Sequence, residues 1–197
     1  MTPTYLSIDT DFWNGLPPSR LRRDCERIVS ALRARRVPVV AVMNHQQMLP
    51  YVSDAPARRL LHIDQHSDLC DSEVAELNCG SWVSFVSWRR EGEYIWLRRH
   101  HVLDGECNGS RPIFAPTTKA WRGKSDWGRV KAKRVKSLPP LREILQSVVA
   151  AGLCMSPGYI DRDEYEGVFR SLVQQFNLPY KRGVRNEADR RVARRPS

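Results

Sequence analysis

Short apolar runs alternate along the chain with longer segments of helical periodicity. Runs of this kind bounded by turn residues are typical of buried strands. The pattern predicts strands at 4–10, 37–43, 58–64, 93–98, 128–136 and 151–156. It predicts helices at 19–36, 45–54, 78–91, 141–151 and 162–177. Strands that alternate with helices in this way favour a mostly parallel sheet covered on both faces, which is a three-layer α/β/α fold.

The first and last predicted helices each carry an apolar stripe. In the first helix the stripe consists of Leu21, Cys25, Ile28, Val29 and Leu32. In the last helix it consists of Tyr165, Val168, Phe169, Leu172, Val173 and Phe176. Apolar residues at these spacings lie on one side of a helix, so we expect both helices to pack against the sheet.

Length and composition predict one domain over residues 1–180, with a Gly-, Pro- and Trp-rich insertion loop at 104–127. No apolar stretch reaches the roughly 18 residues of a membrane span, and the first residues lack the layout of a signal peptide. The five cysteines are odd in number and form no CxxC pair. This usage disfavours a disulfide framework or a thiolate zinc site and predicts a cytoplasmic protein.

The formal net charge of +10 is concentrated in two segments. Residues 118–136 carry a net charge of +7, and the tail 181–197, which we expect to be disordered, carries +5. Neither segment has a recognisable nucleic-acid docking motif, so we do not expect a nucleic-acid partner. An acidic peptide partner, or solubility alone, explains the charge equally well. The sequence does not indicate an oligomeric state.

The segment "LLHIDQHSDL" places Asp64, His66 and Asp68 at alternating positions after an apolar run. On an extended strand, residues two apart point to the same face, so these three side chains would project together. His62 has the same parity but lies one step deeper, which favours a supporting position behind the ligands. Turn formation is the alternative explanation, because Asp and Ser also favour turns at strand ends.

Two other predicted strands also end in metal-type ligands. "YLSIDTDFW" supplies Asp9 and Asp11, and "VVAVMNHQQ" supplies His45. The carboxyl ends of parallel strands form the ligand-binding edge of open α/β sheets. Several carboxylates can lie close together there only if cations offset their repulsion. The donor set suits two ions of Mn²⁺ or Mg²⁺ better than Fe²⁺ or Zn²⁺, and it indicates metal-assisted hydrolysis.

The motifs resemble those of the ureohydrolases, the arginase and agmatinase superfamily. "SIDTD" is similar to their SxDxD motif, and "DQHSD" is similar to their DAHxD motif. With "NHQQMLPYV", "ELNCGSW" and "YIWL" in this order, the chain more closely resembles a ureohydrolase-like family. That family includes bacterial peptide arginases, which modify ribosomally made precursor peptides. SxDxD comes first here, whereas arginase has it after DAHxD, so the resemblance implies an arginase/deacetylase-like fold in circularly permuted form.

The resemblance implies a binuclear manganese hydrolase that converts arginine residues of a precursor peptide to ornithine and urea. The two basic segments suit an acidic leader on that peptide. The resemblance makes Asp9 and Asp64 bridging, catalytic ligands. It assigns His45 and Asp68 to one ion, and Asp11 and His66 to the other.

The substrate residues are less clearly marked. Arginase has a proton-shuttling histidine after DAHxD and a late glutamate that binds the guanidinium, and neither is in place here. Our candidates are Glu76 for catalysis and guanidinium binding, Asn78 and Asp161 for substrate binding, and His100 or its neighbour His101 as proton donor.

Three other interpretations remain open. The same metal platform serves ureohydrolases and deacetylases that act on small guanidino or amide substrates. A phosphatase of the haloacid dehalogenase type would use Asp9 as nucleophile and Asp11 as acid, but it would leave the "DQHSD" motif without a role. A nucleic-acid binder would use the two basic segments, and its affinity would fall steeply with salt.

Overall fold

Seven strands form one sheet in the part of the chain that the computed structural model describes: residues 1–69, 77, 80–99, 127–157, 159–160 and 163–181. The strands are β1 (Thr4–Asp9), β2 (Val39–Val42), β3 (Arg59–Ile63), β4 (Glu93–Arg98), β5 (Arg129–Arg134), β6 (Val148–Cys154) and β7 (Tyr180–Lys181). Their order is β5-β4-β3-β1-β6-β2-β7, and every neighbouring pair is parallel. All carboxyl ends therefore meet at one edge of the sheet, which we call the carboxyl edge.

Helices lie between the strands in the sequence and cover the faces of the sheet. They are α1 (Pro18–Ala34), α2 (Leu49–Asp54), α3 (Leu141–Leu145) and α4 (Asp163–Gln175). Short 3₁₀ turns occur at Thr10–Trp13, His45–Met48, Trp82–Phe85 and Arg89–Glu91. None of the described helices has the length and apolar character that a membrane crossing requires.

Two hydrophobic cores lie on opposite faces of the sheet. Along β1, Leu6 and Ile8 point into the core that α1 and α4 cover, whereas Tyr5 points into the other. The predicted stripes of α1 and α4 are buried or half-buried in the first core. The second core contains α2 and the tryptophan-rich segment after β3. These layers confirm the predicted three-layer α/β/α fold, while the circular permutation stays a prediction.

The predicted helix at 78–91 is wrong over its described part. Residues 80–91 form two 3₁₀ turns instead of a helix. Ser, Val, Trp and Phe are weak helix formers, and two tryptophans anchor the segment through their indole N–H groups. Trp82 donates to Asp68, and Trp88 donates to the carbonyl of Val52.

The predicted helix at 141–151 is also wrong beyond Leu145. β6 begins at Val148, and its residues pair with β1 on one side and β2 on the other. A central position in the sheet favours β-branched valines there over continuation of the helix.

The start of the tail is ordered as well. Tyr180 and Lys181 form β7 beside Ala41 and Val42, so the disorder expected of residues 181–197 is wrong for Lys181. The insertion loop apart from Trp127, and the tail beyond Lys181, lie outside the described residues.

Candidate metal centre

Polar side chains from four adjacent strands gather at the carboxyl edge. Asp9 is the last residue of β1, Cys154 is the last residue of β6, and Asp64 follows β3 directly. His45 opens the 3₁₀ turn that comes two residues after β2. The strand order β3-β1-β6-β2 makes these positions neighbours although they lie far apart in the sequence.

His45 lies at the centre of this arrangement. Its Nδ1 faces three carboxylate oxygens: Oδ2 of Asp9 at 3.0 Å, of Asp64 at 3.2 Å and of Asp68 at 2.8 Å. Its Nε2 lies 3.4 Å from the hydroxyl oxygen of Ser7 on β1. All three aspartates and His45 are buried. Three carboxylates therefore converge on one buried point.

His62 lies in the same group, which differs from its predicted position behind the ligands. Its Nε2 is 3.0 Å from Oδ2 of Asp64 and 3.5 Å from Oδ2 of Asp68. The ring is fully buried, and its centroid lies 5.0 Å from that of His45. One ligand atom from each of these residues could therefore surround a single ion; we call His45, His62, Asp64 and Asp68 the Asp64 group.

A second group lies beside the first and shares Asp64 with it. Nδ1 of His66 lies 2.8 Å from Oδ2 of Asp11 and 3.7 Å from Oδ1 of Asp64. Asp11, Asp64 and His66 could also hold an ion; we call them the His66 group. Asp9, His45 and Cys154 form a third set with ligand atoms in reach of one another. Asp64 is therefore common to the Asp64 group and the His66 group.

Local turns, and not strand alternation, bring these side chains together. Oδ1 of Asp9 accepts from the backbone N–H of Asp11 at 3.0 Å, and Oδ1 of Asp64 accepts from the N–H of His66 at 2.6 Å. β3 ends at Ile63, one residue before the predicted end of the strand, and the extended conformation assumed for Asp64, His66 and Asp68 is not formed. Asp68 has a left-handed backbone with φ of 49°, which Asp adopts more readily than most residues.

Neighbouring side chains hold the carboxylates in place. Nε1 of Trp82 donates to Oδ2 of Asp68 at 2.6 Å, and the hydroxyl of Ser156 donates to Oδ2 of Asp9. Nε1 of Trp96 donates to the backbone carbonyl of Asp64 at 3.0 Å. Such bonds fix the orientation of ligands before an ion binds.

Crowding disturbs the acid–base properties of the carboxylates. Burial, followed by repulsion from Asp11, raises the pKa of Asp9. Burial and Asp64 raise the pKa of Asp11 to about 6. Burial would also raise the pKa of Asp68, but His45 outweighs it and holds that pKa below its usual range. The carboxylates thus compete for the positive charge that the imidazoles supply.

The imidazoles show the complementary effect. Burial alone would lower the pKa of His45, His62 and His66, but nearby acidic groups outweigh it in each case. The pKa of His66 rises to about 10, mainly through Asp11, and that of His45 rises through Cys154 and the carboxylates. Without a cation, protonated histidines are the charges that make so many aspartates compatible with burial.

The residues present fit a metal ion. Oδ2 of Asp64 and both ring nitrogens of His62 are buried without a hydrogen-bond partner, although carboxylate and imidazole face each other. Buried polar atoms are nearly always satisfied, so these atoms indicate a missing partner. A cation among Oδ2 of Asp64 and the ring nitrogens would supply that partner and neutralise the acids.

All six residues predicted as ligands lie in these groups. Asp64, Asp68 and His45 belong to the Asp64 group, Asp11 and His66 to the His66 group, and Asp9 accompanies His45. The predicted substrate and proton-transfer residues lie outside the described part of the chain; they are Glu76, Asn78, His100, His101 and Asp161.

Sequence reasoning missed several contributors. The parity of His62 with Asp64 was a usable signal for its place in the group. Cys154 was set aside because it lies in no CxxC pair, yet a single thiol at a strand end reaches the site. Trp82 and Ser156 carried no signal, because their role depends on contacts across the fold.

No protein-family model matches the chain, and comparison with curated proteins and with solved structures gives no match either. The function therefore has to be inferred from the geometry and chemistry of the site.

Proposed function

We propose that this chain is a metal-dependent hydrolase that converts arginine side chains of a peptide to ornithine with release of urea. The sequence motifs favour two Mn²⁺ ions, one in the Asp64 group and one in the His66 group. Asp64 belongs to both groups, which supports a shared ligand between two ions.

One observation carries the proposal: three buried carboxylate oxygens surround Nδ1 of His45 within 3.2 Å. Carboxylates are almost never buried together without a cation, and oxygen-rich sites with imidazole suit Mn²⁺. The position at the carboxyl edge of a parallel sheet is where α/β enzymes bind ligands. Oδ2 of Asp64 accepts no well-aligned hydrogen bond although His62 and His45 lie within 3.2 Å of it, which supports a cation as its partner.

When bound, such ions lower the pKa of a water molecule toward neutrality. The reaction would add one water molecule: its oxygen would bond to the guanidinium carbon, and the bond from this carbon to the side-chain nitrogen would break. This nitrogen would take up a proton and become the ornithine amine, and the carbon with its two remaining nitrogens would leave as urea.

The residues of the chain have separate tasks in this scheme. Ser156 and Trp82 orient Asp9 and Asp68, so their oxygens need no rearrangement when substrate arrives. The leaving nitrogen needs a proton, which Asp9 or Asp64 could relay from the attacking water. His66 is the most accessible member of both groups, with its side chain 21% exposed, so substrate approaches from its side.

The decisive experiment combines metal analysis with a urea assay. The purified chain is loaded with Mn²⁺ and offered free arginine, agmatine and an arginine-containing peptide. We expect bound manganese and urea release that is fastest with the peptide. Asp64→Asn should lose both metal and activity, because it removes a ligand of both groups.

The matched control is Asp24→Asn. Asp24 is also buried, but it bonds Trp13 and Arg20 and belongs to none of the groups of possible metal ligands. This variant should keep its metal and activity. Failure of all three substrates would contradict the proposal, and acetate release from acetyl-lysine peptides would point to the deacetylase alternative. A burst of aspartyl-phosphate on Asp9 would instead support the phosphatase.

A further inference from the structure

Arg98, the last residue of β4, is a buried cation that forms no ion pair with any described carboxylate. The residue is only 8% exposed, and its Nε has no hydrogen-bond partner. Among the residues that the structure describes, no carboxylate pairs with its guanidinium. The guanidinium carbon lies 5.0 Å from the centre of the Trp96 ring, a contact that orients the group but accepts none of its N–H donors.

The position of Arg98 relates it to the candidate metal centre. Trp96 pairs in register with His62, and its indole N–H donates to the carbonyl of Asp64. Neighbouring strands lie about 4.8 Å apart, so Arg98 at the end of β4 is one strand away from His62 on β3 and from Asp64, which follows β3. It therefore lies beside the site and not within it.

A second cation lies on the strand next to Arg98. Arg134 ends β5 and pairs in register with Arg98, so the two side chains leave the sheet on the same side. Repulsion from Arg134, after burial, lowers the pKa of Arg98. Burying a charge is costly unless it is paired, and a like charge on the next strand adds to the cost.

We propose that Arg98 anchors a carboxylate-binding site at the carboxyl edge, next to the Asp64 group, which takes a carboxylate of the arginine-containing substrate. The planar guanidinium matches a carboxylate through two parallel N–H···O bonds. The length of an arginine side chain separates the reacting carbon from the backbone, so the carboxylate belongs to the backbone end of the substrate. This assignment of the ligand rests on the proposed function.

Two sources could supply such a carboxylate, the α-carboxylate of a terminal arginine or the side chain of an adjacent acidic residue. We therefore compare N-acetylarginine with its amide, and N-acetyl-Arg-Asp-amide with N-acetyl-Arg-Asn-amide. Binding to the full chain is measured by calorimetry in EDTA, so that coordination to a metal ion cannot contribute. In at least one pair we expect the acid to bind about tenfold more tightly than its amide.

Arg98→Met should abolish this preference and leave the binding of the amides unchanged. Arg129→Met is the matched control, because Arg129 lies on the same strand as Arg134 but is largely exposed, and it should keep the preference. If Arg98→Met does not fold, as judged by circular dichroism, Arg98→Lys replaces it and should retain part of the preference.

Equal binding of acid and amide by the unaltered chain in both pairs would overturn the inference. Binding of inorganic phosphate more tightly than either acid would also overturn it. An equal loss in Arg129→Met would also overturn it. The outcome is separable from that of the proposed function. Preferred binding of the acids without urea release would support the carboxylate site and contradict the proposed function. Urea release without preferred binding of the acids would support the proposed function and contradict the carboxylate site.

Discussion

Replacing Trp82 by phenylalanine tests whether the site is held ready for metal. The change removes the indole N–H that donates to Oδ2 of Asp68 at 2.6 Å and keeps an aromatic ring in the core. A buried hydrogen bond to a charged group contributes about 1.5–3 kcal/mol. If that energy orients Asp68 for an ion, its loss weakens metal binding by roughly 10- to 100-fold.

The assay is competition for Mn²⁺ with a fluorescent chelator, which gives the metal Kd directly. Trp88→Phe provides the control, because Trp88 is buried in the same core and also donates its indole N–H, but to the carbonyl of Val52. It should lose stability without losing metal affinity. Urea unfolding of both variants in EDTA measures that stability separately.

The reasoning is refuted if Trp82→Phe keeps a metal Kd within twofold of the unaltered chain while it remains folded. It is refuted equally if both tryptophan variants lose the same affinity, since a general loosening of the core would then explain the result.

Three further predictions follow from the charges and packing. Metal affinity should rise with pH, because an ion must displace protons from Asp11, whose pKa is about 6, and from His66, whose pKa is about 10. Calorimetry in buffers of different ionisation enthalpy should detect the released protons. A metal Kd that does not change with pH would contradict this prediction. Burial would raise the pKa of Glu93, but Lys131 and Arg59 outweigh burial and lower that pKa. The Glu93 carboxylate therefore stabilises the fold above pH 4.5, its pKa in the unfolded chain, and this stabilisation is lost as the pH falls through its lower pKa in the folded chain. Glu93→Gln should therefore destabilise the fold by about 1–2 kcal/mol at pH near 7, and the difference should vanish in acid, as urea unfolding at the two pH values can show. Gly152→Ala would place a Cβ 2.6 Å from Cε of Met48, which lies in the 3₁₀ turn that begins with His45. Thermal unfolding should therefore show a stability loss of about 1–2 kcal/mol, and competition with a chelator should show weaker metal binding. Unchanged stability and unchanged metal affinity would show that the turn moves freely.

The sequence was informative where local pattern and tertiary structure agree. β4 has the predicted bounds 93–98, and Asp9, His45 and Asp64 lie at strand ends as expected. The helix predicted over 141–151 shows the limit, because pairing with β1 overrides local periodicity after Leu145.

The supporting residues of the site could not be predicted for a related reason. Ser156 bonds Asp9 across 147 positions of sequence, and Trp82 reaches Asp68 across 14. The place of Asp68 depends on one left-handed backbone angle, which residue spacing does not encode. Contacts of this kind follow from the whole fold and leave no trace in a local pattern.

The position of β1 at the middle of the sheet has a consequence for how the chain is made. Its two neighbours are β3, at Arg59–Ile63, and β6, at Val148–Cys154. During synthesis β3 can pair early, but the other side of β1 stays an open strand edge until Cys154 has left the ribosome. Open edges of this kind recruit foreign strands, and such nascent chains depend on chaperones or rapid elongation to escape aggregation. Translation pauses before this point should therefore lower the yield of folded protein more than pauses after it.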